Sequence, residues 1–200
     1  MTEITDNSKT LKLDEMPDAL HRFILHWGDM GGSWGVNRTV AQIHALLYVS
    51  EKPLHAEQIA DCLGVARSNV SNSLKELLKI KIIERVPVTG DRRDFYTADT
   101  DVWAIAKKVA AIRKEREIDP ALETLRQCLN AADADKTVSK EQRKRLQEME
   151  DFTATIGNWY EEMATLPPAT LNKLVSLGDR VVSFLNITRK KKAGKSKKEA

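Results

Sequence analysis

The sequence predicts a mainly α-helical fold with a small two-stranded β-hairpin, arranged as a winged helix-turn-helix plus a helical dimerisation region. Apolar residues recur at steps of three and four over most of the 200 residues, which is the period of one-sided helices. Ala60, Gly64 and Val70 have the spacing of a helix-turn-helix, and two short β-rich runs follow that segment.

Composition and cysteine usage exclude several classes of protein. Hydrophobic residues make up 42% of the chain and charged residues 30%, which is enough for a packed core. No run of about 18 apolar residues is present, which excludes a membrane span, and the acidic first twenty residues do not resemble a secretory signal. Cys62 and Cys128 stand far apart without a CxxC pair, which excludes a disulfide framework and a cysteine-rich zinc site. We therefore expect a cytoplasmic protein without membrane contact.

The net charge of +3 is distributed unevenly. Residues 188–200 hold seven basic residues and one acidic residue, so the rest of the chain carries a net negative charge. We predict that 188–200 is a basic flexible tail and that 1–15 is a disordered N-terminus. Such a tail fits either an electrostatic arm that raises affinity for nucleic acid or a solubilising terminus.

Local signals divide the predicted winged helix-turn-helix domain, residues 16–100, into helices. An apolar stripe predicts a helix over residues 16–35. The side chain of Asn37 is the predicted cap of a second helix. A short helix is predicted to end at Gly64, and a longer one covers about 67–80.

The two helices around Gly64 have the side chains that a steep crossing requires. Ala60 is small where the axes approach, Gly64 tolerates the positive φ of the turn, and Val70 anchors the second helix. The outward face of that helix is polar, and in the major groove asparagine can pair with adenine and arginine with guanine. An ordinary solvated helix in an unrelated bundle is the alternative interpretation. The predicted DNA-binding residues of this helix are Arg67, Ser68, Asn69, Ser71, Asn72 and Lys75.

A β-hairpin is predicted directly after this helix. The runs 81–88 and 95–98 are rich in β-forming residues, and the polar turn between them contains Arg92 and Arg93. A hairpin in this position is the wing of a winged helix, which places cations in the minor groove of DNA. The alternative is a solvated turn in which these arginines pair with the neighbouring aspartates.

The last hundred residues predict further helices, which we assign to a helical dimerisation region, residues 101–187. A break is predicted at Asp119-Pro120, and Ser139 with Gln142 has the form of a capping box. The helix after this box has a narrow apolar seam typical of helix–helix pairing, formed by Leu146, Met149, Phe152, Ile156, Trp159, Met163 and Leu166.

These segments together resemble the MarR family of winged-helix regulators. The run WGDMGGSWGVNRTVAQIHALLYVSEKPL, followed by LGVARSNVSNSLKEL and VTGDRRDFYTA, is similar to the GbsR-like branch of that family. The resemblance covers about residues 20–103 well and the helical remainder only in general layout. It implies a homodimer whose N- and C-terminal helices pair, within residues 16–35 and 101–187. Such a dimer binds a pseudo-palindromic operator on double-stranded DNA and represses transcription, often of osmolyte or transport genes, until a small ligand releases it.

Trp27 and Trp34 are candidate effector-binding residues. Aromatic faces attract quaternary ammonium ions, and the resemblance points to choline-type effectors, although plain core or interface packing explains these tryptophans as well. The glycine-rich segment 28–35 lacks the spacing of a phosphate-binding loop, so close helix packing or a bend near the dimer interface is the favoured interpretation.

No catalytic or metal-binding constellation is visible in the sequence. The four histidines form no HExxH or i, i+4 pair and are expected at the surface or partly buried, and no Ser/His/Asp or Cys/His arrangement can be assembled. We therefore expect neither an enzyme nor a cofactor, and Cys62 is interpreted as an inert thiol. The alternative function is a winged helix that binds another protein and lacks salt-dependent binding to duplex DNA.

Overall fold

The computed structural model describes residues 12–178, 180, 181 and 183. The chain divides into two compact units, with the division between Val109 and Ala110. Each unit is considered by itself. The predicted tail, residues 188–200, and most of the predicted disordered N-terminus lie outside the described residues.

The first unit contains helices and a small sheet. Its elements are a 3₁₀ turn (Leu13–Glu15), α1 (Asp18–Ser33), α2 (Arg38–Val49), β1 (Leu54–His55), α3 (Ala56–Leu63), α4 (Arg67–Lys79), β2 (Ile83–Val86), β3 (Phe95–Ala98) and the start of α5 (Val102–Arg113). The structure corrects the prediction of disorder for residues 13–15, because Leu13 packs against the core of this unit.

The predicted helix ends in this unit are confirmed. The side-chain Oδ1 of Asn37 accepts a hydrogen bond from the backbone N–H of Thr39 at 2.8 Å, which satisfies one of the free amides of α2. Gly64 has a φ of 64° and ends α3, and its N–H donates to the carbonyl of Ala60. A side chain at Gly64 would strain this left-handed conformation.

The sheet has three strands, whereas the sequence predicted two. The strand order is β1-β3-β2, and both pairs are antiparallel. The additional strand β1 has only two residues, with Leu54 opposite Tyr96 and His55 opposite Phe95. A strand of this length has no detectable alternation of polar and apolar residues, so its existence depends on the position of β3.

One hydrophobic core joins the helix-turn-helix to the helices before it. Val70 of α4 is fully buried, and Ala60 of α3 is only 4% exposed where the two helices meet. The close approach predicted at Ala60 and the anchor predicted at Val70 are therefore confirmed. The largest fully buried side chains are Ile24, Ile43, Leu46, Ile59, Leu77 and Val70.

The second unit is helical in its described part. It contains the end of α5, a π-helical turn (Lys114–Ile118), α6 (Asp119–Ala134), α7 (Lys140–Thr165) and α8, whose described run covers residues 168–178. The predicted capping box is confirmed, since Ser139 and Gln142 bond reciprocally to each other's backbone amides.

The predicted break at Asp119-Pro120 is wrong. The chain remains helical through the π turn and into α6, whose first turn contains Pro120. Lys114 stabilises this turn, because its Nζ lies 2.7 Å from an oxygen of Asp119 and 2.8 Å from an oxygen of Glu161 on α7.

Candidate nucleic-acid interface

The polar side chains predicted to contact DNA share one exposed face of α4. The opposite face, with Val70, Ser73, Leu74 and Leu77, is buried against the core. This division follows from the helical period, because the four buried residues are separated by three, one and three positions along α4. The exposed residues are Arg67, Ser68, Asn69, Ser71, Asn72 and Lys75.

The base of the wing is held by an aspartate turn. The carboxylate of Asp91 accepts the backbone N–H of Arg93 at 2.9 Å, and the Nε of Arg93 lies 3.0 Å from both carboxylate oxygens. These hydrogen bonds lower the pKa of Asp91 to about 2, so the carboxylate is charged at neutral pH.

The Arg93 guanidinium also contacts the start of α3. Its Nη1 lies 2.9 Å from Nε2 of His55, and its carbon lies 5.8 Å from the centre of the Phe95 ring. His55 is buried, caps α3 and meets Phe95 edge to face at 5.3 Å. Desolvation by burial is the main cause that lowers the pKa of His55, and the positive charge of Arg93 lowers it further. The expectation of a surface or partly buried histidine is wrong at His55 and at His44, which are 7% and 6% exposed.

The structure separates the two wing arginines that the sequence treated alike. Arg92 is exposed and forms no ion pair with any residue that the structure describes. Arg93 pairs with Asp91, as the alternative of a solvated turn required. The other aspartate of the turn, Asp94, pairs instead with Arg85 on β2 at 3.3 Å. Arg92 is therefore the wing cation that is available to a partner.

This difference predicts different results for two alanine variants. Arg92→Ala should weaken binding to duplex DNA by about tenfold and reduce the salt slope by about one, because one cation is lost. Its melting temperature should not change. Arg93→Ala should lower the melting temperature, unlike Arg92→Ala, because it removes the contacts of Arg93 with Asp91, His55 and Phe95. Anisotropy titrations at two salt concentrations and thermal melts test both results, and equal melts for the two variants would contradict the assignment.

One carboxylate that the sequence analysis did not consider joins the two candidate DNA-binding elements. Glu57 lies in the first turn of α3, and its Oε1 is 2.7 Å from Nη1 of Arg67 on α4. Its Oε2 is 3.9 Å from Nη1 of Arg93. No local sequence pattern identifies such a residue, because the contacts depend on where α4 and the wing lie relative to α3.

Of the tryptophans proposed for an effector, one lies within α1 and the other directly after it. Trp27 is half-buried, packs against the core and has its ring centre 5.3 Å from that of Phe23. Trp34 follows the last residue of α1 and is 59% exposed. Cys62 is buried, and burial raises the pKa of its thiol to about 11, which agrees with an inert thiol.

A helix-turn-helix with a polar exposed second helix and a hairpin that carries arginines defines the class of winged helix-turn-helix proteins. Residues 34–94, from the end of α1 to the wing, match the model of the MarR family.

Two curated proteins of Bacillus subtilis (strain 168) are similar to this chain. A protein named as an HTH-type transcriptional regulator, YvaV, is 25% identical over 71 residues, which are 36% of this chain and 40% of that protein. The HTH-type transcriptional repressor OpcR is 23% identical over 95 residues, which are 48% of this chain and 51% of that protein. The chain thus spans about half or less of the length of these two proteins.

The fold is shared with a solved protein described as a transcriptional regulator. The TM-score is 0.56 at 21% sequence identity, and the match covers 74% of this chain and 96% of that one. The match of residues 34–94 and the shared fold indicate a winged helix, and the two curated proteins are named as transcriptional regulators. Membership of the GbsR-like branch remains a prediction.

None of the helices in the described part of the chain has the length and apolar character of a membrane span.

Proposed function

We propose that this protein is a sequence-specific transcriptional regulator, a homodimeric repressor that binds a pseudo-palindromic operator. The observation that carries this proposal is the exposed polar face of α4 beside a wing on which Arg92 is exposed and pairs with no acidic residue among those described. Short polar side chains on α4 would let the helix enter the major groove, and a cation on the wing would contact the neighbouring minor groove.

Exposed apolar side chains of the second unit support the homodimer. Met149, Phe152 and Trp159 on α7 are 55%, 63% and 53% exposed in the single chain. They belong to the seam predicted from the sequence, and apolar side chains this exposed favour burial against a second helix. Residues 16–35 and 101–187 remain the proposed dimer segments. Two copies would then place their α4 helices in half-sites about 34–36 Å apart.

We also propose that a small effector releases the protein from its operator. Phe23 joins aromatic residues of α1 and α2, because its ring centre lies 5.3 Å from that of Trp27 and 6.4 Å from that of Tyr48. Aromatic faces of this kind attract quaternary ammonium groups, so Trp27 and Trp34 remain the proposed effector-binding residues for a choline- or osmolyte-type ligand.

The test begins with selection of duplexes from a random pool by the purified protein. Fluorescence anisotropy then compares the selected duplex with a scrambled version of it at about 50 and 200 mM salt. We expect the selected duplex to bind well above the scrambled one at both salt concentrations, with two chains in each complex. Equal weak binding that disappears at the higher salt concentration would contradict the proposal and favour a winged helix that binds a protein partner.

Asn69 provides the residue-level prediction of this function. Its exposed amide lies within the first turn of α4, which is the part of a recognition helix that contacts base edges. Asn69→Ala should relax the preference at one base position by about 1–3 kcal/mol and leave affinity for the scrambled duplex unchanged. Repeating the selection with this variant measures the change, and an unchanged preference would remove Asn69 from the residues that contact bases.

A further inference from the structure

Glu57 occupies a position between the two elements that are proposed to contact DNA. Its two carboxylate oxygens face different arginines, with 2.7 Å between Oε1 and Nη1 of Arg67 and 3.9 Å between Oε2 and Nη1 of Arg93. Arg67 is the first residue of α4, and Arg93 lies at the base of the wing. One carboxylate of α3 therefore faces both the recognition helix and the wing.

The position of Arg67 explains why a carboxylate is useful there. A cation at the first residue of a helix meets the positive end of the helix dipole, which is unfavourable. Glu57 lies in the first turn of α3, where an acidic residue is favoured. The pair therefore stabilises a charge that α4 alone would disfavour, and it orients the Arg67 guanidinium at the start of α4.

The same pair remains open to competition. The side chains of Arg67 and Glu57 are 70% and 44% exposed, so their ion pair contributes little to folding. Glu57 uses Nη1 of Arg67, and a guanidinium has five N–H donors in total. The remaining donors can contact a base edge while the carboxylate is still in place. A base edge is neutral, whereas a phosphate that binds Arg67 approaches the negative charge of Glu57 and is repelled by it.

We propose that Glu57 is a specificity-determining residue. It orients Arg67 for contact with a base and disfavours contact of Arg67 with phosphate. This inference rests on the proposed function, because it requires a protein that binds DNA. Discrimination here comes from a repulsive element: the carboxylate weakens non-operator complexes more than the operator complex.

Glu57→Gln tests the inference, because it keeps the shape of the side chain and removes the charge. We expect affinity for the scrambled duplex to rise about fivefold and affinity for the selected duplex to change less than twofold, so the specificity ratio falls. Asp61→Asn is the matched control. Asp61 is exposed one turn further along α3 and pairs with no described arginine, so this variant should shift both duplexes by the same factor.

An Arg67→Ala background shows whether Glu57 acts through Arg67. In that background Glu57→Gln should shift both duplexes equally, as Asp61→Asn does, and thermal melts confirm that each variant is folded. If Glu57→Gln shifts both duplexes equally in the wild-type background, the carboxylate is only background charge and the inference is overturned. A wild-type protein that does not discriminate between the duplexes would instead overturn the proposed function, and this inference with it.

Discussion

Gly31→Ala is expected to destabilise the winged-helix unit by about 1–3 kcal/mol. A Cβ atom at this position would lie 2.5 Å from the Cβ of Ala41 on α2, far inside normal contact distance. The Cβ of Ala41 is fixed to its helix and cannot rotate away, so α1 and α2 would have to separate. That separation would loosen the packing of α1 against the core around Ile24.

The neighbouring glycine provides the control. Gly32 is also helical, but it is exposed and a Cβ there meets nothing within 4 Å. Gly32→Ala should therefore stabilise the protein by up to about 1 kcal/mol through helix propensity alone. Urea denaturation of the two variants beside the wild type measures the difference. If Gly31→Ala were as stable as Gly32→Ala, α1 would not approach α2 as closely as the structure has it.

This pair of residues also shows where prediction from the sequence stops. The glycine-rich segment was interpreted as a site of close helix packing or a bend. A Cβ at Gly28 would meet Gln42 and one at Gly31 would meet Ala41, which agrees with close packing. The sequence did not distinguish Gly31 from Gly32, because the difference depends on which side of α1 faces α2. Composition identifies a flexible or crowded segment, and only the packed structure identifies the crowded residue.

Features that depend on local chemistry could be predicted along most of the chain. The cap at Asn37, the left-handed Gly64, the capping box at Ser139 and the exposed face of α4 each require only residues close in sequence. Features that join distant residues could not. The additional strand β1 exists only beside β3, and the contact of Arg93 with His55 spans 38 positions.

The candidate site follows the same rule. The polar residues of α4 were predicted because one helical period places them together on the solvent side. The difference between Arg92 and Arg93 was not predictable, because it depends on Asp91, His55 and Phe95 around the base of the wing. Glu57 was missed for the same reason. A charge on α3 gains its significance only when α4 and the wing lie on either side of it.

Replacing His44 is expected to remove a large acid sensitivity of folding. His44 lies in α2 and is 6% exposed, and its Nε2 is a buried nitrogen without a hydrogen-bond partner in the described structure. Burial lowers the pKa of His44 to about 4, and the negative charge of Asp99 only partly offsets this effect. A protonated imidazolium is therefore strongly disfavoured at this position in the folded state.

The sign of the effect follows from the two states of His44. The unfolded chain takes up the proton as the pH falls below about 6.5, whereas the folded protein does so only near pH 4. The unfolded state therefore binds more protons between these values, and stability present at neutral pH is lost as the pH falls through that window. The full loss from His44 is about 3 kcal/mol.

His44→Phe and His44→Leu isolate this contribution. Both remove the titrating imidazole and the unpaired nitrogen, and Phe also keeps a ring beside Tyr48, whose centre lies 6.3 Å from that of His44. The free energy of unfolding should fall less for both variants than for the wild type between pH 7 and pH 4.5, by about 2 kcal/mol. Two variants of different shape guard against a packing artefact, because only the loss of the imidazole is common to them. A wild-type pH dependence that survives in both would mean that other groups cause the acid sensitivity, since no imidazole would remain at position 44.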